Sequence, residues 1–541
     1  MKRRSFLSTG TFVTSVGLAA TGAPQTRAAV DNATRSSARV ADRFEWLEAS
    51  AADLSRAMAL GRTSAVALVE AYMARIAAID HAGPRLASIL ELNPDAASLA
   101  SKLDDERAAG RLRGPLHGIP IVVKDNIATA DRMQTTAGSP ALLGVAPPRD
   151  AALVARLRAA GALILAKANL SEWANFRGKN SVSGWSTRGG QTRNPYALDR
   201  SPSGSSSGSG VAVAANLCAM GVGTETDGSI TLPASVCALV GMKPTVGLVS
   251  RDGIVPIAFS QDSAGPMCRS VADAALLLAV MAGVDPRDGA THAQKGKLNA
   301  EELLSLRPVA LRGARLGVAT NLADGHSRAT TALFDAALAA LQGAGATLVR
   351  APLPNLEKMG TSELDVLMFE MRHAMANYLS EFAANGPHRS LADLIAFNQA
   401  HPQTLALFGQ EWFEGAQAKG ALDRPAYRQA LAHGRRYART YGIDAMLRRH
   451  KLDAIVAPTG APAWLIDPIN GDGGLAPSAT TPAAVAGYPH VTVPMGQVAG
   501  LPVGLSFFGG AWQDARLLAL AQHFEQTTGH RAPPMYRTSS T

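Results

Sequence analysis

The chain has 541 residues, 47% of them hydrophobic, which is enough for one large core or two smaller ones and excludes disorder for most of its length. The formal net charge is +9, but the basic groups are scattered: several lie in the first forty residues (Lys2, Arg3, Arg4, Arg27, Arg35, Arg39) and most others stand singly on helix-like segments. Without a basic stripe interleaved with aromatics or a recognition-helix motif, this charge argues against a nucleic-acid partner. The three cysteines, Cys218, Cys237 and Cys268, sit in apolar or small-residue runs, which favours buried thiols over a disulfide framework.

In chain order, MKRRSFL places Arg3 and Arg4 ahead of a mildly apolar stretch over 12–23, an arrangement that resembles a twin-arginine (Tat) export signal. Gly10, Gly17 and the threonines make that stretch too polar for a stable membrane span, and no later run of about twenty apolar residues provides one. Residues 1–29 are therefore expected to be a cleaved signal, followed by a linker over 30–43, and the product to be periplasmic or secreted. An oxidising destination leaves open a pairing of two of the cysteines.

Helical spacing follows, with Thr63 and Ser64 placed to cap a helix over 65–78, and a second helical run covers 93–110. These N-terminal helices (44–110) are expected to pack on a main domain over 111–530, with a short tail over 531–541. From Gly118 onward strands and helices alternate: strand over 119–123, helix over 153–160, strand over 162–166. Further strands are expected over 315–318, 347–350 and 453–457, with helices over 329–342, 362–384 and 426–449. Two strands and a turn are expected within 487–508. The pattern indicates an α/β fold with a sheet covered by α-helices on both faces. The stretch 187–210, rich in Ser, Gly, Asn and Pro, is too long for an idle linker and reads as a functional loop.

Three segments carry chemistry. GIPIVVKDN (118–126) sets Lys124 just after an apolar strand, where loss of water disfavours the ammonium and lowers its pKa toward that of a usable base; taken alone, such a lysine is more often an ordinary solvated one. SPSGSSSGSG (201–210) would pass for a flexible linker, except that it runs directly into the apolar segment 211–215, which must be packed. GTETDGSITLPAS (223–235) places Gly228 before Ser229, a turn able to converge successive N–H groups as an oxyanion hole requires, although Asp-Gly-Ser is also a common surface turn.

These motifs in this order, followed by VGMKPT (240–245), resemble the amidase signature family, and the similarity extends over about 44–524. Within the family the likeness is to bacterial peptide amidases, through SEWANFRG (171–178), SGWSTRGGQTRNPY (183–196) and KPTVGLVSRDGI (243–254). The resemblance implies an amidase-signature fold, in which the sheet is a large mixed β-sheet covered by α-helices on both faces. It implies a Ser-Ser-Lys triad, with Lys124 as base, Ser205 as bridging hydroxyl and Ser229, 24 residues further on, as nucleophile. It also implies Ser206 as an accessory hydroxyl and an oxyanion hole from the N–H groups of Thr226, Asp227, Gly228 and Ser229. The commonest family pattern reads Asp-x-Gly-Gly-Ser-x-Arg, where this chain has Glu225-Thr226-Asp227-Gly228-Ser229-Ile230-Thr231. The substitutions leave the triad positions intact and put inference from other branches in doubt.

The implied reaction is hydrolysis of a carboxamide C–N bond, most specifically the C-terminal amide of a peptide, through an acyl-enzyme. A broad amidase or aryl acylamidase is the nearest alternative; a glutaminase-type component of an amidotransferase fits an exported chain poorly. Such chemistry needs no metal or cofactor, and none of the twelve histidines forms a His-Glu-x-x-His pair. Trp173, Phe176, Arg177, Trp185 and Met267 are expected at the substrate pocket, and the enzyme is expected to act as a monomer or homodimer with an amide substrate as partner.

Overall fold

The computed structural model describes residues 44–298, 300–306, 311–473 and 477–540; the twin-arginine segment and the linker after it lie outside these described residues. Eleven strands form one mixed sheet. In chain order they are β1 (Ile89–Leu92), β2 (Pro120–Lys124), β3 (Leu163–Ala168), β6 (Met220–Glu225), β7 (Val240–Lys243), β8 (Ser263–Cys268), β9 (Arg315–Ala319), β10 (Thr347–Ala351), β11 (Ala454–Pro458), β12 (His490–Val498) and β13 (Leu501–Phe508). A separate hairpin pairs β4 (Trp185–Ser186) with β5 (Gly190–Gln191). The order across the sheet is β1-β3-β2-β6-β8-β7-β12-β13-β11-β9-β10. Strands β3, β2 and β6 run parallel, as do β11, β9 and β10, while the middle of the sheet is antiparallel.

β2, β3 and β6 are buried along their whole length, as strands covered on both faces must be. Their register matters for function. Val123 of β2 lies beside Val222 of β6, so the strands end together and present Lys124 and Thr224–Glu225 at one edge. In an open α/β sheet the crevice beyond the carboxyl ends of parallel strands is where ligands bind.

The N-terminal helices share the sheet's core: Leu54, Leu68 and Tyr72 belong to the same apolar cluster as Val122 and Val222. Ser64 caps the helix Ala65–Arg75 by accepting from Ala67 N at 3.1 Å, and a π-type segment continues it through His81. The second helical run forms over Ala96–Ala108. The single helix expected over 426–449 is broken: Pro425–Arg435 passes into a π-type segment, Arg436–Ile443, kinked at Gly442, and resumes as Asp444–His450. A Cβ on Gly442 would lie 2.3 Å from Tyr437 O, so the glycine permits a backbone approach that an unbroken apolar pattern hides. All three cysteines are buried and free, and among the described residues no helix is long and apolar enough to cross a membrane.

The serine-glycine run is not wholly loop. It becomes the buried helix Ser207–Ala214, tucked against the chain after β3. Its glycines are there for room: a Cβ on Gly208 would lie 2.4 Å from both Asn169 O and Ser88 O. Those contacts are backbone and cannot swing aside, so Gly208→Ala is expected to lower stability by about 1–3 kcal/mol, the usual cost of overpacking, read as the shift of the urea unfolding midpoint.

Candidate active site

Lys124 ends β2 with its side chain fully buried. Its Nζ lies 2.7 Å from Ser205 Oγ, 2.9 Å from Thr224 Oγ1 and 3.2 Å from Thr224 O. Burial lowers its pKa to about 7, and the Asp262 and Glu225 carboxylates keep it from falling further. The amine is therefore a mixture of neutral and charged forms near neutrality. A neutral amine has two N–H groups for Thr224 and one lone pair for the Ser205 hydroxyl, which matches the three contacts. Lys167 and Lys243 are equally buried, but Lys167 donates to Ile127 O and Thr135 Oγ1, and Lys243 to Pro244 O. Of the three, Lys124 is the one hydrogen-bonded to a serine.

Ser205 follows a cis peptide bond after Gly204, and its carbonyl accepts from Ser171 N at 3.1 Å. Ser206 is buried beneath the site: its Oγ donates to Thr224 O (3.0 Å) and accepts from Thr224 N (3.1 Å). Its backbone N–H donates to Ser229 O at 3.1 Å, which ties the serine-rich loop to the turn carrying Ser229. No direct hydrogen bond joins Ser205 to Ser229 among the described residues. Ser203, Gly204 and Ser229 line one cavity, and Ser205 follows Gly204 beneath it, its neighbour Ser206 bonded to Ser229.

The turn after β6 is held at both ends. Glu225 Oε2 accepts from Ile230 N (2.8 Å) and Thr231 N (2.9 Å), capping the helix Thr231–Val236. Thr226 Oγ1 donates to Asp262 Oδ1 at 2.6 Å, and Thr481 Oγ1 to Asp227 Oδ2 at 2.6 Å. Gly228 adopts φ 78°, which glycine takes without steric cost. The N–H groups of Asp227, Gly228 and Ser229 meet no acceptor among the described residues, and Thr226, Asp227 and Ser229 line a cavity of about 450 Å³. Free backbone donors beside a half-exposed serine are what an oxyanion site requires. Among the described residues no group of three or more His, Cys, Asp or Glu side chains is arranged to hold a metal ion.

Of the five residues expected at the substrate pocket, Phe176 lines this cavity and the other four do not. Trp173 is buried edge-on against Phe413. Arg177 is fully buried, paired with Glu172 and bonded to Gly409 O and Phe408 O, so it braces the wall from behind. Trp185 packs edge-on against Phe408 and borders a different depression, with Leu465 and Arg193. Met267 is fully buried on β8, where a Cβ on Gly210 or Gly223 would strike it. The walls come instead from Trp412, stacked on Phe176 with ring centroids 6.4 Å apart, and from Trp464, Leu367, Lys179 and Asp472. These residues lie in segments with no motif of their own. The turn-forming Asn470-Gly471-Asp472-Gly473 was the available hint.

The fold brings to this edge of the sheet the groups that acyl transfer requires: a serine, free backbone donors and a buried amine. The profile of the Amidase family matches residues 67–518, and the chain belongs to that family. It is 39% identical to a probable amidase of Arabidopsis thaliana over 92% of this chain and 93% of that one. The solved structure of a native peptide amidase from Stenotrophomonas maltophilia superposes with a TM-score of 0.87 at 52% identity, covering 91% of this chain and 99% of the other. That of an amidase family protein from Bacillus anthracis superposes with a TM-score of 0.82 at 33% identity, covering 93% of this chain and 97% of the other.

Removing the Glu225 acceptor leaves two buried N–H groups unpaired. Glu225→Ala is expected to cost about 2–6 kcal/mol, at roughly 1–3 kcal/mol per orphaned donor. Glu225→Gln, which keeps an acceptor oxygen, is expected to lose distinctly less; urea unfolding of both variants checks this.

Proposed function

We propose that this amidase hydrolyses the C-terminal carboxamide of peptides, with Ser229 as nucleophile, Ser205 as proton relay and Lys124 as base. The observation that carries the reading is the Lys124 Nζ–Ser205 Oγ contact of 2.7 Å at an amine whose pKa burial brings to about 7. A serine hydroxyl is a weak nucleophile at neutral pH and needs such a base within reach. Neutral Lys124 takes the proton of Ser205 as Ser205 takes that of Ser229, and Ser229 Oγ attacks the amide carbonyl carbon. The negative charge that develops on the carbonyl oxygen falls to the free N–H groups of the 226–229 turn, at about 3–4 kcal/mol per donor in comparable sites. The relay then runs back: the proton passes to the amide nitrogen, the C–N bond breaks, and ammonia leaves instead of an amide anion. Water, deprotonated by the same relay, cleaves the acyl-enzyme to the free acid and restores Ser229.

Peptide amides are favoured as substrates by the similarity to peptide amidase and by the cavity. Its volume of about 450 Å³ and the wall of Phe176, Trp412 and Trp464 suit an extended chain of a few residues better than a small aliphatic amide. On the twin-arginine reading of residues 1–29, the reaction takes place outside the cytoplasm.

Three outcomes are expected. Peptide amides release ammonia faster than simple carboxamides or anilides of matched acyl groups, as a coupled ammonia assay and product mass will read; equal rates contradict the peptide-amide assignment. Ser229→Ala abolishes labelling by a fluorophosphonate and lowers kcat at least about 10³-fold, and undiminished turnover removes Ser229 from the mechanism. Because the base must be neutral, kcat/KM is expected to fall about tenfold per pH unit below about 7 and to level off above it.

A further inference from the structure

The cavity is acidic where the commonest pattern of the family is not. In Asp-x-Gly-Gly-Ser-x-Arg, a glycine stands two residues before the serine; here that position is Asp227. Asp227 lines the cavity with Ser229. Its Oδ2 accepts from Thr481, while its Oδ1 is buried and accepts no hydrogen bond. A second carboxylate, Asp472, lines the same space from a distant segment; Ser183 N (3.0 Å), Ser183 Oγ (2.6 Å) and Trp464 Nε1 (3.2 Å) donate to it. Neither carboxylate forms an ion pair among the described residues. Lys243 acts on Asp227 only as a weak, more distant charge. Lys124 sits behind Ser205 and is partly neutral, and Lys179, the cation in the lining, is exposed at the rim over the Trp412 ring.

Burial raises the Asp227 carboxyl, and so does the negative charge of Glu225. Burial raises Glu363 further, with Asp227 beside it, while Gln261 Nε2 donates to Glu363 at 2.7 Å. The two carboxyls therefore titrate together, and their mutual repulsion disfavours two negative charges at once.

The two ends of the reaction differ in charge at the atom group nearest Ser229: the substrate is a neutral carboxamide and the product a carboxylate. We propose that Asp227 makes the cavity a charge filter, admitting neutral carboxamides, favouring peptides that carry positive charge, and expelling the carboxylate product. The nearness is fixed by the fold, since Asp227 and Ser229 share one turn pinned by Glu225 and Thr481. An ammonium on the peptide is attracted by the same two carboxylates before and after hydrolysis, so it favours cationic peptides as a class, while the new carboxylate alone separates the acid from the amide. Aromatic walls hold the chain by its side chains and are indifferent to this change of charge, which leaves the discrimination to Asp227, seconded by Asp472.

This inference rests on the peptide-amide reading, and the test separates the two. In a Ser229→Ala background, which binds without turnover, calorimetry compares a tripeptide amide with the acid of the same sequence. The acid is expected to bind at least about tenfold more weakly, ~1.4 kcal/mol. Adding Asp227→Asn is expected to narrow that gap to under about threefold, chiefly by tightening the acid. In the parent enzyme, with an N-acetylated tripeptide that carries no ammonium, the acid's inhibition constant is expected to improve as NaCl is raised from about 0.05 M to about 0.5 M, while the amide's KM changes little. This measurement stands even if the Asp227→Asn protein does not fold. An acid that binds as tightly as the amide, a gap unmoved by Asp227→Asn, or a gap insensitive to salt overturns the filter. An enzyme that hydrolyses no peptide amide overturns the reading beneath it.

Discussion

Everything at this site follows from a lysine amine placed where water cannot reach it. In water Lys124 would be a cation at any physiological pH and useless as a base. At the buried end of β2 the ammonium loses its hydration, and the fall of its pKa from 10.5 to about 7 corresponds to a penalty on the order of 5 kcal/mol for the charged form. That penalty is full below pH of about 7 and fades as pH rises toward the ordinary lysine value, because above it the unfolded chain also holds a neutral amine. The fold thus gives up stability at neutral pH to keep a partly neutral amine beside Ser205.

The surrounding structure serves that placement. Full burial of β2, β3 and β6 excludes water, and the parallel register of β2 and β6 brings Thr224 to Lys124 as its second partner. The helix Ser207–Ala214 carries Ser205 and Ser206 to the same edge, and Ser206 binds both the strand carrying Thr224 and the turn carrying Ser229. Asp262 does two things at once: its charge limits the fall of the Lys124 pKa, and its Oδ1 holds Thr226 in the turn. Lys124, the serine-rich loop and the turn are consequently parts of one hydrogen-bonded unit, so disturbing one member is expected to be felt by the others.

How much of this the sequence disclosed varied with the kind of signal. Strands rich in β-branched residues, such as β2, and helices with clear periodicity, such as Arg328–Gly343, were legible from local pattern. β6 and β8 were not, because Met220-Gly-Val-Gly-Thr-Glu225 and Ser263-Ala-Gly-Pro-Met-Cys268 carry glycines and a proline that local propensity counts against a strand. The reason is tertiary. A Cβ on Gly223 would lie 2.7 Å from Ser206 Oγ, and one on Gly265 would strike Met242 O, so close packing around the site dictates residues that propensity disfavours. The same holds for the site. Its chemistry-bearing core stood in three compact motifs, whereas the walls formed by Trp412, Trp464 and Asp472 arrive from far along the chain, where the turn around Asp472 is the one local mark. Arg177 and Met267, expected at the pocket, are buried away from it.

The mechanism turns on the charge of one amine, and a titration of that amine reads it. With lysines labelled at the ε-carbon and Lys124 assigned by comparison with Lys124→Met, heteronuclear NMR follows its chemical shift against pH in the resting enzyme. A midpoint near 7, several units below those of the exposed lysines, is expected. A side chain that stays cationic past pH 10 would overturn the mechanism, since no neutral base would then stand beside Ser205 at the pH where the enzyme works.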